Sequence, residues 1–350
     1  MNSEDSPPAR RIRSLAPIRI CDPGGWTDTW FAGHGAVLNI AVTPGVEVNL
    51  AVYPREARRD QVVIVAENYG ERFALSSVAA VAPRHRLLAA TVSEIPPAAE
   101  VAIEVTIHSE IPAGCSTGTS AAVCVALLAA LDRLRGGQMG PAELAAAAHR
   151  VETERLGWQS GIQDQLCAAY GGINFIEMPV YPRASVTQLS LPAATLAELE
   201  RRLMLVFLGR THRSSAVHEK VIAGLKTEGG ASPQLERIRR AARASRDALV
   251  AGDLVAFGAA LSECTAAQAA LHADLVSAEA RTVIELAQAQ GAAGWKVNGA
   301  GGEGGSLTIL CAEVPGASRN LELTLMAADS RLRVIPIRLC AAGAHAWELA

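Results

Sequence analysis

The residues most suited to chemistry form a loop of small side chains that leads directly into an apolar stretch. Residues 113–120 include glycines at 114 and 118 and hydroxyls at 116, 117, 119 and 120, and residues 121–131 are almost all Ala, Val and Leu. The apolar stretch predicts a buried helix. Its N-terminus would present backbone N–H groups that suit phosphate. The pattern predicts either a phosphate-binding loop or an ordinary capped helix. It is not a Walker loop, because no Gly-Lys-Ser/Thr follows.

Two aspartates lie in polar surroundings that could serve catalysis or substrate binding. Asp164 lies between two glutamines beside an apolar helical stretch, so it is interpreted either as a helix cap or as a desolvated base. Asp28 follows a glycine turn at residues 22–25 and lies close to Trp26. From position alone, Asp28 is interpreted as a solvated turn carboxylate and Trp26 as a core aromatic residue.

Composition excludes several classes of function. The 350 residues are enough for two domains, half of them are apolar and 19% are charged, which is typical of a globular protein. The formal net charge of −3 and the absence of a dense basic run predict no nucleic-acid partner. Seven scattered cysteines without a CxxC spacing favour reduced thiols over a disulfide framework or a zinc site.

The chain shows no membrane or export signal. Residues 1–14 are polar and charged, so they are expected to form a disordered lead-in rather than a signal peptide. The longest apolar helical run, residues 121–131, is too short to span a bilayer. A cytoplasmic protein without a membrane partner is expected, and nothing in the sequence identifies a self-association surface.

Strand signals dominate the first half of the chain and helix signals the second. In the first half we expect a hairpin about Pro44-Gly45 that joins 37–42 to 46–53, helices at 84–93 and 141–157, and strands at 15–21, 61–66, 101–109 and 173–177. Proline-containing loops at 180–200 mark a candidate boundary. Beyond it we expect helices at 232–251, 253–271 and 274–290, and strands at 203–208, 294–297, 306–311 and 333–339. The arginine-rich stretch 232–251 is interpreted as a solvated helix face.

Three stretches, in this order, resemble the three motifs of the GHMP small-molecule kinases, which include galactokinase, homoserine kinase, mevalonate kinase and phosphomevalonate kinase. Residues 16–28 resemble the first motif. Residues 112–122 resemble the second, P-x3-G-L-G-S-S-A-A, and residues 296–305 the third, K-x2-G-A-G-G-G-G. Residues 159–165 with 170–172 resemble the S-G-x-Q-D-Q and F-G-G segments of the sugar-kinase branch. Residues 24–29 with 35–39 are similar to the L-fucose kinases. Residues 163–165 and the polar turn at 209–215 resemble the D-glycero-D-manno-heptose 7-phosphate kinases.

The resemblance implies an α+β protein with the two-domain GHMP kinase fold. An N-terminal, ATP-binding domain with the phosphate-binding loop is expected at residues 15–190. A ferredoxin-like C-terminal domain is expected at residues 191–350, with the active site in the cleft between the two domains.

The resemblance also implies roles for single residues. Asp164 matches the base that accepts the proton of the sugar hydroxyl. Arg19 matches the arginine beside it, which favours the ionised aspartate and stabilises the transferring phosphoryl group. Ser120 and Glu152 match the Mg²⁺ ligands, and their hard oxygens suit that ion. The ATP phosphates would be bound by Gly114, Cys115, Ser116, Thr117, Gly118, Thr119 and Ser120, and the substrate by Trp26, Thr27, Asp28, Gly161, Asp164 and Arg213.

Some residues depart from the family pattern. Ser116 stands where the family usually has glycine and Thr119 where it usually has serine, and nucleotide binding is expected to survive both changes. Glu303 interrupts the third glycine run and is expected to turn outward to solvent. If the substrate is already phosphorylated, extra cations are needed, for which Arg213, Arg210 and Lys296 are the candidates.

The function that the resemblance implies is ATP- and Mg²⁺-dependent phosphorylation of a sugar hydroxyl, at the anomeric carbon. L-fucose-like sugars and heptose 7-phosphates are the leading substrates. Two alternatives stay open, namely a catalytically silent sugar and nucleotide sensor on the same fold and a kinase for a non-sugar alcohol. A small-molecule substrate is the expected partner.

Overall fold

The computed structural model describes residues 7–75, 85–210, 219, 221–225 and 229–350. Within these ranges the strands form a nine-stranded sheet and a four-stranded sheet. The strands are β1 Arg10–Ile20, β2 Gly35–Pro54, β3 Val62–Ala66, β4 Glu71–Ala74, β5 Val101–Ser109, β6 Ile173–Val180, β7 Arg183–Gln188, β8 Leu203–Phe207, β9 Gly294–Val297, β10 Ser306–Leu310, β11 Arg333–Ile335, β12 Arg338–Leu339 and β13 His345–Leu349.

The helices pack against both sheets. Residues 221–224 are also helical, and a π-helical segment, Val151–Arg155, extends α3. The helices are α1 Arg86–Glu94, α2 Thr119–Leu134, α3 Pro141–Arg150, α4 Gln163–Tyr170, α5 Ala193–Arg202, α6 Pro233–Ala251, α7 Leu254–Leu271, α8 Ala278–Ala289 and α9 Ala317–Ala328.

The larger sheet has the order β13-β1-β2-β5-β3-β4, and β2 also pairs with β6 and β12. Its neighbours are antiparallel except for β3 and β5. Helix α2 packs on β1 and β2 and is flanked by α1, α3 and α4. Nearly all of its residues from 121 to 131 are buried, which confirms the buried helix expected after the small-residue loop.

The strand β2 corrects two expectations for the first 54 residues. It is one strand of 20 residues, so the hairpin expected about Pro44-Gly45 is wrong. Its register with β1 shifts between Ala16 and Ile18, and a Cβ at Gly45 would lie 2.2 Å from the Ala16 carbonyl oxygen. Glycine therefore permits the close approach of a bulged pair rather than a chain reversal. β1 itself begins at Arg10, so residues 10–14 belong to a paired strand and not to a disordered lead-in.

The smaller sheet has the order β11-β8-β10-β9 and is buried on both faces. In β8, Met204 and Val206 pack towards α8 and α9, whereas Leu205 and Phe207 pack into the core shared with α6, α7 and the larger sheet. This two-sided burial follows from the period-two alternation of a strand between helices on either face. Helices α6 and α7 thus lie between the two sheets, α6 against β2 and α7 against β9.

The end of the chain returns to the larger sheet. The single strand expected at 333–339 is divided at Pro336 into β11, in the smaller sheet, and β12, in the larger sheet. Proline has no N–H to donate to a ladder, which accounts for the break. β13 then pairs with β1, so residues after 191 contribute to both sheets.

Two helices of the second half differ in burial from what their composition suggests. The solvated-face interpretation of 232–251 is wrong for Arg239, which is 1% exposed and donates to the carbonyl oxygens of Ala32, His34 and Gly230. Helix α7 is long and apolar enough to cross a membrane by composition, with a mean hydropathy of 1.4, but half of it is buried inside the protein. Such burial is typical of a core helix.

Candidate active site

A cavity of about 380 Å³ lies where the end of β1, the loop before α2 and the N-terminus of α4 meet. It is lined by both residues expected to be catalytic, by residues 114–120 of the small-residue loop, and by Glu152, Trp26, Asp28 and Gly161. Its lining consists of Arg19, Trp26, Asp28, Thr29, residues 114–121, Glu152, residues 158–161, Gln163, Asp164, Gly299 and Ala300.

Of the described residues expected to bind substrate, Thr27 does not line the cavity. The Thr27 side chain is fully buried and its hydroxyl donates to the Gly24 carbonyl oxygen over 2.7 Å, so it stabilises the turn after β1. Arg213 and the rest of the polar turn at 211–215 lie outside the described residues. The cavity therefore brings together segments that are far apart in sequence. Thr27 stabilises a turn and does not line the cavity.

The loop before α2 is held in a curled conformation. Gly114, Ser116 and Gly118 have positive φ angles of 73°, 59° and 69°, and α2 begins at Thr119. The Ser116 carbonyl oxygen accepts a hydrogen bond from Arg19 Nη1 at 2.6 Å, and the Cys115 carbonyl oxygen accepts one from the Ser306 hydroxyl at 2.6 Å. The protein thus holds the loop in one conformation at the N-terminus of a long helix, which fits the binding of phosphate groups.

Arg19 and Asp164 form the central ion pair of the site. Arg19 Nε lies 2.7 Å from Asp164 Oδ1, the Arg19 side chain is 5% exposed and that of Asp164 is 30% exposed. Burial lowers the pKa of Arg19, but the charges of Asp164 and Asp22 outweigh it and raise that pKa above its ordinary value. A permanently charged guanidinium therefore holds a partly solvated carboxylate at the cavity wall.

The cap of α4 is supplied by Asp28 and not by Asp164. Asp28 Oδ2 accepts the backbone N–H groups of Ile162 and Gln163 at 3.0 and 3.1 Å, so the cap alternative for Asp164 is wrong. Asp28 is 3% exposed, which also contradicts its interpretation as a solvated turn carboxylate. A Cβ at Gly161 would lie 2.2 Å from Asp28 Oδ2. Gly161 thus permits Asp28 to hold the helix that carries Asp164.

Burial raises the pKa of Asp28 to about 6, although the two backbone donors partly oppose it. Because the folded protein holds this proton more tightly than the unfolded chain, the contribution to stability is complete below about pH 4 and is lost as pH rises through about 6. A rise in the pKa of Asp28 from about 4 to about 6 corresponds to about 3 kcal/mol in the free energy of unfolding. We expect the free energy of unfolding of the wild type, measured in urea relative to that of Asp28→Asn, to fall by about this amount between pH 4 and pH 7. A difference that is independent of pH would contradict the assignment.

Glu152 is the carboxylate best suited to a cation. It lies in the π-helical segment after α3 and is 6% exposed. Its Oε2 accepts both the Ser160 hydroxyl and the Gln165 amide, whereas no described residue donates to Oε1. Burial raises its pKa to about 7, the hydrogen bonds from Ser160 and Gln165 oppose this and the charge of Asp164 adds to it. A buried carboxylate with one oxygen available, facing the same cavity as the exposed Ser120, fits Mg²⁺.

The third glycine-rich motif contributes Gly299 and Ala300 to the cavity wall. Glu303 is exposed, which confirms that it turns outward. Lys296, a candidate cation for a phosphorylated substrate, is instead 1% exposed and its ammonium donates to Gln268 Oε1 at 2.9 Å. Arg210 is outside the lining and lies 3.6 Å from Glu279. Neither of these two cations faces the cavity.

Several residues of the cavity wall, among them Trp158 and Gln163, were not among the expected site residues. Trp158 lines the cavity and is 41% exposed, an uncommon position for an indole ring. Gln163 is 6% exposed, and its Oε1 is buried without a hydrogen-bond partner among the described residues. The signal for Trp158 was its position immediately before the polar run 159–164, and the signal for Gln163 was its place in the segment that resembles S-G-x-Q-D-Q.

Residues 84–172 match the family model of the GHMP kinases N terminal domain. Over 197 residues the chain is 27% identical to a D-glycero-alpha-D-manno-heptose 7-phosphate kinase of Campylobacter jejuni, covering 56% of this chain and 58% of that protein. Over 316 residues it is 24% identical to a bifunctional fucokinase/GDP-fucose pyrophosphorylase of Arabidopsis thaliana, covering 86% of this chain and 30% of that protein. The chain thus spans less than two thirds of the length of either relative.

The fold is similar to that of a solved D-glycero-D-manno-heptose 1-phosphate kinase from Bacteroides thetaiotaomicron. The TM-score is 0.73 at 22% identity, and the alignment covers 97% of this chain and 99% of that one. The match extends over both sheets and confirms the expected α+β architecture. Residues 84–172 therefore match the N-terminal domain of the GHMP kinases, and the chain as a whole shares the fold of the solved heptose kinase.

Proposed function

We propose that this protein is an ATP- and Mg²⁺-dependent kinase that transfers the γ-phosphate of ATP to a hydroxyl, at the anomeric carbon, of a sugar or sugar phosphate. The observation that carries the proposal is the Arg19–Asp164 pair, at 2.7 Å, in the same cavity as the curled loop of α2. A base and a fixed cation beside a phosphate-binding loop are the groups that phosphoryl transfer needs.

In this mechanism, Asp164 accepts the proton of the attacking hydroxyl. Arg19 Nε is bound to Oδ1, while Oδ2 lies 3.5 Å from Arg19 Nη2, so Oδ2 is the oxygen more available to the substrate. The guanidinium stabilises negative charge on the transferring group. Residues 114–120 bind the ATP phosphates through backbone N–H groups and hydroxyls. Ser120 and Glu152 would hold Mg²⁺, which neutralises phosphate charge when it is bound.

The substrate is held by side chains on the opposite wall of the cavity. The indole of Trp158 offers a flat apolar surface for the C–H face of a sugar ring. Asp28 accepts hydroxyl donors. Gly161 shapes this wall, and Trp26 supports it from the core through Phe31, with ring centroids 6.1 Å apart.

The names of the two relatives described above suggest two substrate classes, heptose 7-phosphates and fucose. The described lining holds three carboxylates and Arg19, which is already paired, so this part of the site favours a neutral sugar. Binding of a sugar phosphate would depend on Arg213. The 15–190 and 191–350 domain division and a cytoplasmic location remain parts of the proposal. The free thiols of the seven cysteines suit a reducing compartment.

The test is ADP release with ATP and Mg²⁺ across L-fucose, galactose, mannose, heptoses and the terminal phosphates of these sugars. We expect turnover on one sugar that is lost when EDTA removes the divalent cation. Arg213→Ala separates the two classes, because it weakens the binding of a sugar phosphate and leaves that of a neutral sugar unchanged. Silence on every sugar with ATP binding intact would favour a sensor, and turnover on mevalonate or homoserine a non-sugar kinase.

A further inference from the structure

A second, fully buried ion pair lies behind Arg19. The Asp22 side chain is 0% exposed and that of Lys296 is 1% exposed, and Lys296 Nζ lies 3.3 Å from Asp22 Oδ1. The other oxygen, Asp22 Oδ2, lies 3.6 Å from Arg19 Nη1. Arg19 is thus shared between a buried carboxylate and the partly exposed Asp164.

We propose that Asp22 is a positioning residue for Arg19, and that the positive charge of Lys296 compensates the buried Asp22 carboxylate. This inference rests on the kinase function proposed above. Two cations and two carboxylates give a cluster without net charge. Without Lys296, a second buried carboxylate behind the guanidinium would carry an uncompensated charge, which is strongly unfavourable in a protein interior. Lys296 therefore acts from the side remote from the cavity, through Asp22.

The cluster also ties the third motif to the guanidinium. Asp22 Oδ2 accepts the backbone N–H of Gly299 at 2.9 Å, and Gln268 accepts from Lys296 while it donates to the Gly299 carbonyl oxygen at 3.1 Å. A Cβ at Gly299 would lie 3.1 Å from Arg19 Nη2. The glycine turn therefore packs directly against the guanidinium, and Asp22 holds the two together.

This geometry leaves Arg19 little freedom to turn. Nη1 is bound to the Ser116 carbonyl oxygen and lies beside Asp22, while Nη2 lies next to the glycine turn. Only Nε, with the edge of Nη2, is directed to Asp164. Asp22 thus determines which edge of the guanidinium meets the base, without itself lining the cavity.

A purely structural alternative is that Asp22 only neutralises Lys296. The variants Asp22→Asn, Lys296→Met and their combination separate the two roles. We expect each single variant to lower the melting temperature and the double variant to recover most of the loss, because no uncompensated charge remains. We expect kcat to fall at least tenfold in Asp22→Asn and to stay equally low in the double variant, with the KM for ATP within about threefold of the wild type. Asp329→Asn, in an exposed ion pair, is the matched control and should leave kcat unchanged.

A spectroscopic measurement makes the test independent of the substrate. In ¹H–¹⁵N spectra, the Nε–H resonance of Arg19 is assigned by its absence in Arg19→Lys. We expect it to shift and its hydrogen exchange to accelerate at least tenfold in Asp22→Asn and in the double variant. Recovery of kcat by the double variant, or an unchanged Nε–H resonance, would overturn the positioning role. Lack of turnover by the wild type on every sugar would count only against the proposed function, because the resonance and the melting temperatures are measured without substrate.

Discussion

Asp164→Asn is expected to lower kcat by about 10²- to 10⁴-fold, the range that a positioned general base supplies. Asparagine keeps the size of the side chain but cannot accept the proton of the sugar hydroxyl. The KM for ATP is expected to change little, since in the proposed mechanism the phosphate groups bind to the loop before α2 and not to this carboxylate. Steady-state ADP release on the sugar that is turned over, combined with calorimetric titration of ATP, measures both quantities.

The structure offers a matched control for this variant. Glu154 is an exposed carboxylate two residues from Glu152, and Glu154→Gln should leave kcat within about twofold of the wild type. The Asp164→Asn protein should also unfold near the wild-type temperature, because Arg19 keeps Asp22 as a charged neighbour. If Asp164→Asn retained a third or more of the wild-type kcat, another group would have to be the base.

Arg19→Met is expected to have the largest effect on stability. It removes the guanidinium from a core in which Asp22 is completely buried, and breaking a buried ion pair by removing one partner costs about 3–5 kcal/mol. The expected loss is at the lower end of that range, because Lys296 still compensates Asp22. Urea unfolding with the same m-value in both proteins would measure the change in the free energy of unfolding.

Arg19→Lys distinguishes charge from geometry. A lysine retains the positive charge but has no planar fork to contact Asp164 and the Ser116 carbonyl oxygen together. We expect it to recover a large part of the stability and little of kcat. If Arg19→Met unfolded at the same midpoint urea concentration as the wild type, the buried Asp22 carboxylate would not need this guanidinium for stability.

Local patterns predicted most regular elements because their causes lie within a few residues. β5 and β9 begin and end where the apolar runs begin and end, and the all-round apolar stretch in α2 is buried. The predictions were wrong where contacts with a distant segment determine the local structure. The sequence Pro44-Gly45 alone is typical of a turn, but β1 pairs with β2 on both sides of these two residues. Arg239 reads as a solvated side chain, but carbonyl oxygens of the chain after Trp30 surround it.

The candidate site likewise has features that the local sequence predicts and features that only tertiary contacts determine. The small-residue loop before a buried helix and the three ordered motifs can be read from the sequence, since glycine φ angles and apolar periodicity are properties of short segments. Only the tertiary structure shows that Asp28 caps α4 from 134 residues away, that Asp164 meets Arg19 across 145 residues, and that Lys296 is buried against Asp22. Ion pairs and caps between distant segments leave no periodic trace in either segment, because they depend on where the packed core brings the two backbones together.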